Sequence, residues 1–258
     1  MIRGLYISAS SAVAETKRID VIANNIANVN TTGFKKDVMV TDNFPEILIS
    51  KINGRIDKDL RKVSNPLNTL GQLSYGIRSS EVRTNFEQGS VYSTGNSFDL
   101  ALSGKGFFCV ETPEGERYTR SGDFTKDSES YLVTKEGYKV LGEAGYIKID
   151  GSNMTVNEKG EVYSDSQLVD KLKLVDFNDY EVLRKEGNGL LGIADGIEAE
   201  PVAIAGMVQQ SFLEGSNVNS VKEMVNMLTM MRTYEANQKM IKIHDELIGK
   251  AVNEIARL

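Results

Sequence analysis

Residues 220–256, SVKEMVNMLTMMRTYEANQKMIKIHDELIGKAVNEIA, run for 37 positions without a proline and with one glycine, Gly249. Within them Met227, Tyr234, Ile241, Ile248 and Ile255 recur every seven residues. A seven-residue apolar step marks helices that bury a narrow seam against other helices. Ser220 followed by Glu223 has the spacing of a capping box, which places the helix start there. At about 1.5 Å per residue the rod is roughly 55 Å long. Met224, Met227, Met230, Met231 and Met240 spread around the cylinder, so the apolar surface is wider than one stripe and calls for several neighbours.

The other end of the chain repeats the pattern. Ile2, Ala9, Thr16 and Ala23 fall seven apart, interleaved with Leu5, Ala12, Ile19 and Ile26. The spacing predicts a helix from about Arg3 to Val29, with small seam residues that admit a close partner. Asn24, Asn25, Asn28 and Asn30 crowd its end, and Thr31-Thr32-Gly33 supplies a stop. The assembly interface expected from these columns is Leu5, Ala9, Ala12, Ile19, Ile26, Met227, Tyr234, Ile241, Ile248 and Ile255.

Between the helices the pattern changes. From residue 34 to 89 it weakens, broken by Gly54, Pro66, Gly71 and Gly76, and reads as an extended crossover in which residues 38–52 form a short helix or extended pieces. From residue 90 to 205 turn signals recur at short intervals, among them Thr94-Gly95-Asn96, Lys135-Glu136-Gly137, Asp150-Gly151 and Gly187-Asn188-Gly189. The runs between them are rich in β-branched and aromatic residues. Residues 107–118 fit a hairpin turning at Pro113–Glu116. The expected fold is α+β: long terminal helices (1–33 and 206–258) pairing as a coiled coil, and a central, mostly antiparallel β domain, a sandwich or partial barrel.

Composition narrows the function. With 40% hydrophobic and 26% charged residues the chain can build a substantial core, and a net charge of −6 disfavours a nucleic-acid partner. The locally basic run Lys51, Arg55, Lys58, Arg61, Lys62 is offset by Asp57 and Asp59 and reads as a solvated face. Cys109 is the sole cysteine, which excludes an internal disulfide; its apolar neighbours predict burial. No run is apolar enough for a transmembrane segment. Ala12-Val13-Ala14 resembles a signal-peptidase site, but Ser8, Ser10 and Ser11 interrupt the apolar run and Arg3 is the only upstream charge.

Catalytic constellations do not emerge. His244, the sole histidine, sits beside Asp245 and Glu246 and reads as a helix-surface residue. It has no second His or Cys with which to complete a typical zinc site. Gly104-Lys105-Gly106 opens like a dinucleotide loop, but Cys109 takes the third glycine position and a strand follows. Glu114 and Glu116 lie in a turn, where solvation accounts for them. No catalytic residue, cofactor or metal site is expected.

Three segments resemble one family. Ala23-Asn24-Asn25-Ile26-Ala27-Asn28-Val29-Asn30-Thr31-Thr32-Gly33-Phe34-Lys35 is similar to the amino-terminal signature of bacterial flagellar rod and hook proteins. Thr94 to Leu102, running into Gly104-Lys105-Gly106-Phe107-Phe108 and Tyr118-Thr119-Arg120-Ser121-Gly122-Asp123-Phe124, resembles the opening of that family's β domain. Leu213-Glu214-Gly215-Ser216-Asn217-Val218, with Glu223-Met224-Val225 and Arg232 to Asn237, resembles its carboxy-terminal helix. Two departures stand out. Ser97-Phe98 replaces the frequent Pro-Leu, and Glu129-Ser130 replaces Asn-Gly, so a hairpin with two positive-φ residues is not expected there.

The resemblance implies a structural axial subunit of the flagellar basal-body rod. Its terminal helices would form an inner tube and its β domain the outer wall, by self-association and contact with other rod and hook-type proteins. It further implies export by the flagellar type III apparatus without a cleaved signal, and a place in the basal body outside the cytoplasmic membrane. Val140 to Gly145 and Val169 to Val175 resemble the shorter proximal-rod type, while the first thirty residues suit a distal-rod protein as well. Readings of other classes are a secreted coiled-coil-stalk binding or adhesin-like module, and an enzyme using a cleft in the β domain.

Overall fold

The computed structural model describes residues 2–43, 47–51, 68–74, 76–151, 153–194, 201–203 and 207–255. The chain forms two compact units. One comprises residues 1–23, 38–82 and 224–258, the other residues 24–37 and 83–223.

The first unit contains most of both long helices, α1 (Ile2–Ala27) and α2 (Ser220–Ile255). Three contacts set their relation. Gly4 lies so close to His244 that a Cβ there would stand 2.6 Å from Nε2. Asn237 Nδ2 donates to Ser11 Oγ at 3.0 Å, and an Arg18 Nη1 proton points at Met230 Sδ at 3.7 Å. Each advance of seven residues along α1 is a retreat of seven along α2, so the two run antiparallel in a constant register. His244 is therefore half-buried against α1, a correction to its expected place on the helix surface. Small residues, above all Gly4, explain this, because they let the helices approach closely. Ala12 and Ala14 are buried in α1.

The stretch read as a crossover carries regular structure: Asp37–Asn43 pairs with Ile77–Thr84, and Ile47–Lys51 pairs antiparallel with Asn68–Leu73. Of the two expectations for residues 38–52, the extended one is found at 38–43 and 47–51; residues 44–46 and 52 lie outside the described residues. The basic positions Arg55, Lys58, Arg61 and Lys62 lie outside the described residues.

The second unit is the β body. Its nine-stranded sheet centres on the hairpin of Phe107–Thr112 with Gly115–Thr119, paired from Phe108↔Thr119 to Thr112↔Gly115. The hairpin is the expected one, with its turn at Pro113-Glu114, narrower than the expected Pro113–Glu116. Successive side chains of a strand point to opposite faces, and here both faces are covered. Phe108 and Val110 enter a core with Phe124, Leu132, Ile147 and Leu172, while Phe107 and Cys109 enter a second with Tyr118, Val175 and Phe177. Cys109 is buried, and burial pushes its thiol pKa up. A three-stranded antiparallel sheet (Met154–Val156, Glu161–Ser164, Gln167–Lys171) and two short strand pairs complete the body. At Glu129-Ser130 only Ser130 has positive φ (70°), in a turn closed by the bond from Ser130 N–H to Asp127 C=O at 2.9 Å.

Candidate functional site

The three signature segments meet in the β-body unit, around Glu214. The end of α1 is held first. Asn25, 1% exposed, imitates a strand partner: its Nδ2 donates to Asp37 C=O at 2.8 Å and its Oδ1 accepts from Asp37 N–H at 2.9 Å. A buried carboxamide satisfied at both ends is what a buried polar group requires. The chain then turns at Gly33 (φ +66°), whose N–H donates to Glu214 C=O at 2.8 Å. A Cβ there would lie 2.5 Å from the backbone carbon of Arg120 and the nitrogen of Ser121, so only glycine fits.

Beyond this turn Lys35 enters the interior. Its Nζ donates to Glu214 Oε1 at 2.6 Å and to Glu87 C=O at 2.8 Å. Glu214 Oε1 also accepts from Gly89 N–H at 2.9 Å, and Oε2 accepts from Arg120 Nη1 at 3.3 Å. Arg120 is held by its Nη2 bond to Gly104 C=O at 2.6 Å, with the guanidinium 5.4 Å from the Phe107 ring centre. Its Nε is buried without a hydrogen-bond partner among the described residues. Burial lowers the pKa of both Lys35 and Arg120, opposed in each case by Glu214. The carboxylate accepts from three donors, which suits a joint rather than a reacting group.

Around this ion cluster the start of α2 is tied to the same loop. Lys36 N–H donates to Asn217 Oδ1 at 2.7 Å, and Asn217 Nδ2 donates to the carbonyls of Asn85 (2.9 Å) and Glu87 (3.0 Å). Lys36 Nζ meets Glu223 Oε1 at 2.5 Å. The first turn of α2 is capped by Asn219 Oδ1, which accepts from Lys222 N–H at 3.0 Å. The cap therefore lies one residue ahead of the expected Ser220, and the Glu223 carboxylate is drawn to Lys36. Lys185 closes the other side, its Nζ 2.8 Å from Asp37 Oδ1, 2.5 Å from Lys35 O and 4.1 Å from the Phe34 ring centre.

The columns expected from the heptads fall as follows. Ala12 is buried; Leu5, Ala9, Ile19, Ile26, Met227, Tyr234, Ile241 and Ile248 are half-buried; Thr16 and Ala23 are exposed. The side chains of Ile2 and Ile255 lie outside the described residues. On α2 the half-buried positions from Met227 onward are 227, 230, 233, 234, 237, 241, 244, 248 and 251, which apart from Thr233 alternate steps of three and four. Outside this face α2 also exposes apolar residues: Val221, Val225, Leu228, Ile243 and Leu247 are between 47% and 66% exposed, set among the charged residues Arg232, Glu235, Lys239, Glu246 and Lys250. Sequence periodicity found the half-buried face; the wider apolar surface was signalled only by the spread of methionines. The convergence of Lys35, Arg120 and Glu214 has a fainter signal, a charged residue inside each of three motif segments.

No helix among the described residues is long and apolar enough to cross a membrane. Three family models match the chain: the flagella basal body rod protein over residues 5–35, the flagellar hook protein FlgE/F/G D1 domain over 101–164, and the flagellar basal body rod FlgEFG protein C-terminal over 209–254. Full-length relatives agree. The flagellar basal-body rod protein FlgF of Caulobacter vibrioides is 34% identical over 262 residues, covering 100% of both chains. FlgG of Agrobacterium fabrum is 32% identical over 262 residues, covering 95% of this chain and 96% of its own. The flagellar hook-basal body complex protein FlhO of Bacillus subtilis is 30% identical over 276 residues and 100% of both chains. With three family segments in order and relatives matched end to end, the chain belongs to the flagellar basal-body rod protein family and is a structural, non-enzymatic subunit of the flagellum basal body.

Proposed function

We propose that this subunit polymerises through its terminal helices, pairing as a coiled coil and associating with its own copies and with other rod and hook-type proteins in a helical tube. The tube is the drive shaft between motor and hook. The observation that carries this reading is that the apolar surface of α2 is wider than its contact with α1: one face is half-buried against α1, while Val221, Val225, Leu228, Ile243 and Leu247 outside it are exposed. Each large aliphatic side chain contributes roughly 1.5–3 kcal/mol when fully buried, so these side chains are a reservoir of stabilisation released only when neighbours cover them. Leu5, Ala9, Ala12, Ile19, Ile26, Met227, Tyr234, Ile241, Ile248 and Ile255 form the inner contacts, and residues 90–205 face outward as the wall. Export through the flagellar type III apparatus, with the ends ordering fully only on assembly, is consistent with deferred burial.

Within the rod we favour the proximal type over the distal, on the resemblance of Val140 to Gly145 and Val169 to Val175. Replacing Ile241 and Ile248 together with Asp is expected to abolish incorporation into basal bodies while the β body stays folded. Normal swimming by that mutant would refute the role of the helices. Imaging basal bodies from a deletion strain complemented with each variant locates the rod segment that is lost.

A further inference from the structure

We infer that residues 33–37 and 214–223 dock on the β body as one all-or-none event, coupled by the buried cluster Lys35–Glu214–Arg120, with Glu214 the positioning residue for both segments. The cluster draws one member from each side of the junction and one from the body. Glu214 Oε1 takes protons from Lys35 Nζ at 2.6 Å and Gly89 N–H at 2.9 Å, and its other oxygen takes one from Arg120 at 3.3 Å. The side chains of Lys35, Arg120 and Glu214 are 3%, 5% and 0% exposed.

Half-docked states are penalised from either direction. If residues 33–37 lift away, Glu214 keeps a single, longer ion pair in a site that excludes water. If residues 214–217 lift away, Lys35 and Arg120 are left as two buried cations with no shared carboxylate. Leaving a buried charge uncompensated is far costlier than the net worth of the intact group. The two segments also close on each other directly, through Gly33 N–H to Glu214 C=O at 2.8 Å and Lys36 N–H to Asn217 Oδ1 at 2.7 Å. Residues 33–37 and 214–223 are thus set on the β body by one event. The inference concerns the single subunit and stands whatever the helices later contact.

Hydrogen exchange on the full-length soluble subunit tests it, with Lys35→Met and Glu214→Gln as reciprocal variants. Two groups of amides are followed: Gly33, Lys36 and Asp37 on one side, and Gly215, Asn217 and Glu223 on the other. The amides that pair Phe107–Thr112 with Gly115–Thr119 serve as control. Either variant is expected to accelerate both groups together, on the order of a hundredfold, with the control unchanged. Acceleration confined to the group that carries the substitution overturns the coupling. Equal acceleration of the control overturns it too, because the junction then has no cooperativity of its own. Should Lys35→Met not fold, Glu214→Gln, which keeps the shape and the Gly89 bond, gives the same readout.

Discussion

Lys35 Nζ lies 2.6 Å from Glu214 Oε1 and joins two positions 179 residues apart, with side-chain exposures of 3% and 0%. Removing one partner of such a pair strands the other. Glu214→Ala is expected to destabilise the β-body unit by about 3–5 kcal/mol, read from the midpoint of urea unfolding. Replacing Lys35 and Glu214 both by Met should cost less than the sum of the two single changes. A strictly additive double-mutant cycle would refute the pairing.

Gly33 and Gly95 have nearly the same backbone, φ +66° and +74°, but differ in what surrounds them. A Cβ on Gly33 meets the Arg120 and Ser121 backbone at 2.5 Å, whereas one on Gly95 meets nothing within 4 Å. Gly95→Ala should therefore cost only the left-handed penalty of about 1–2 kcal/mol. Gly33→Ala should cost distinctly more, since backbone must move. Thermal melts of the two variants decide this; equal losses would show that the junction yields easily.

Ser130 occupies a left-handed conformation (φ 70°) without being glycine. Relief of roughly 1–2 kcal/mol of steric cost outweighs the roughly 0.5–1 kcal/mol of extra chain entropy that glycine brings. Ser130→Gly is thus expected to stabilise the subunit by about 0.5–1 kcal/mol, with the urea midpoint raised and the slope unchanged.

Three of the ten tyrosines should titrate late: Tyr163, raised by its bond to Glu161, and, further, Tyr118 and Tyr180. Burial, with Glu116 next in effect, pushes Tyr118 up to about 12; burial and its 2.8 Å bond to Asp176 push Tyr180 up to about 12. Both folded values lie above the ordinary 10.0. Between these limits the folded state holds protons that the unfolded chain releases. Their contribution to stability is full below pH 10 and is lost as pH rises towards about 12. Lys35 and Lys185, lowered by burial from 10.5, act with the opposite sign below that value. A near-ultraviolet tyrosinate titration therefore isolates the effect better than a melting curve. A single step at the ordinary value would contradict the burial of both rings.

How far the sequence discloses this molecule depends on the range of each interaction. Ile241 and Ile248 announce their helix face through a repeat only seven residues long, and the hairpin at Pro113-Glu114 is written in adjacent turn residues. Asn219 caps the helix in place of Ser220, and Glu223 pairs with Lys36, far away in the chain. His244 is half-buried because Gly4 stands opposite. The strand pairs in residues 37–84 lack a strong alternation of their own. The ion cluster is invisible to periodicity altogether, since Lys35, Arg120 and Glu214 share no local pattern and meet only once the β body has closed.

The final prediction separates the half-buried face of α2 from its exposed apolar residues. Leu228 and Leu247 are 58% and 47% exposed and lie on the two flanks of the half-buried column of Tyr234, Ile241 and Ile248. Surface changes away from packed contacts usually alter stability by no more than about 0.5 kcal/mol. Leu228→Glu with Leu247→Glu should therefore leave the melting temperature and hydrogen exchange of the isolated subunit unchanged. The same pair should prevent assembly, because each carboxylate would be buried unpaired against a neighbour. Ile241→Asp with Ile248→Asp should instead loosen the helix pair within the single subunit and speed exchange along both helices. Cells carrying the Leu228/Leu247 variant are expected to be non-motile with the protein present and folded. If they build complete basal bodies, these exposed residues are no part of the interface and the helices polymerise by their paired side alone.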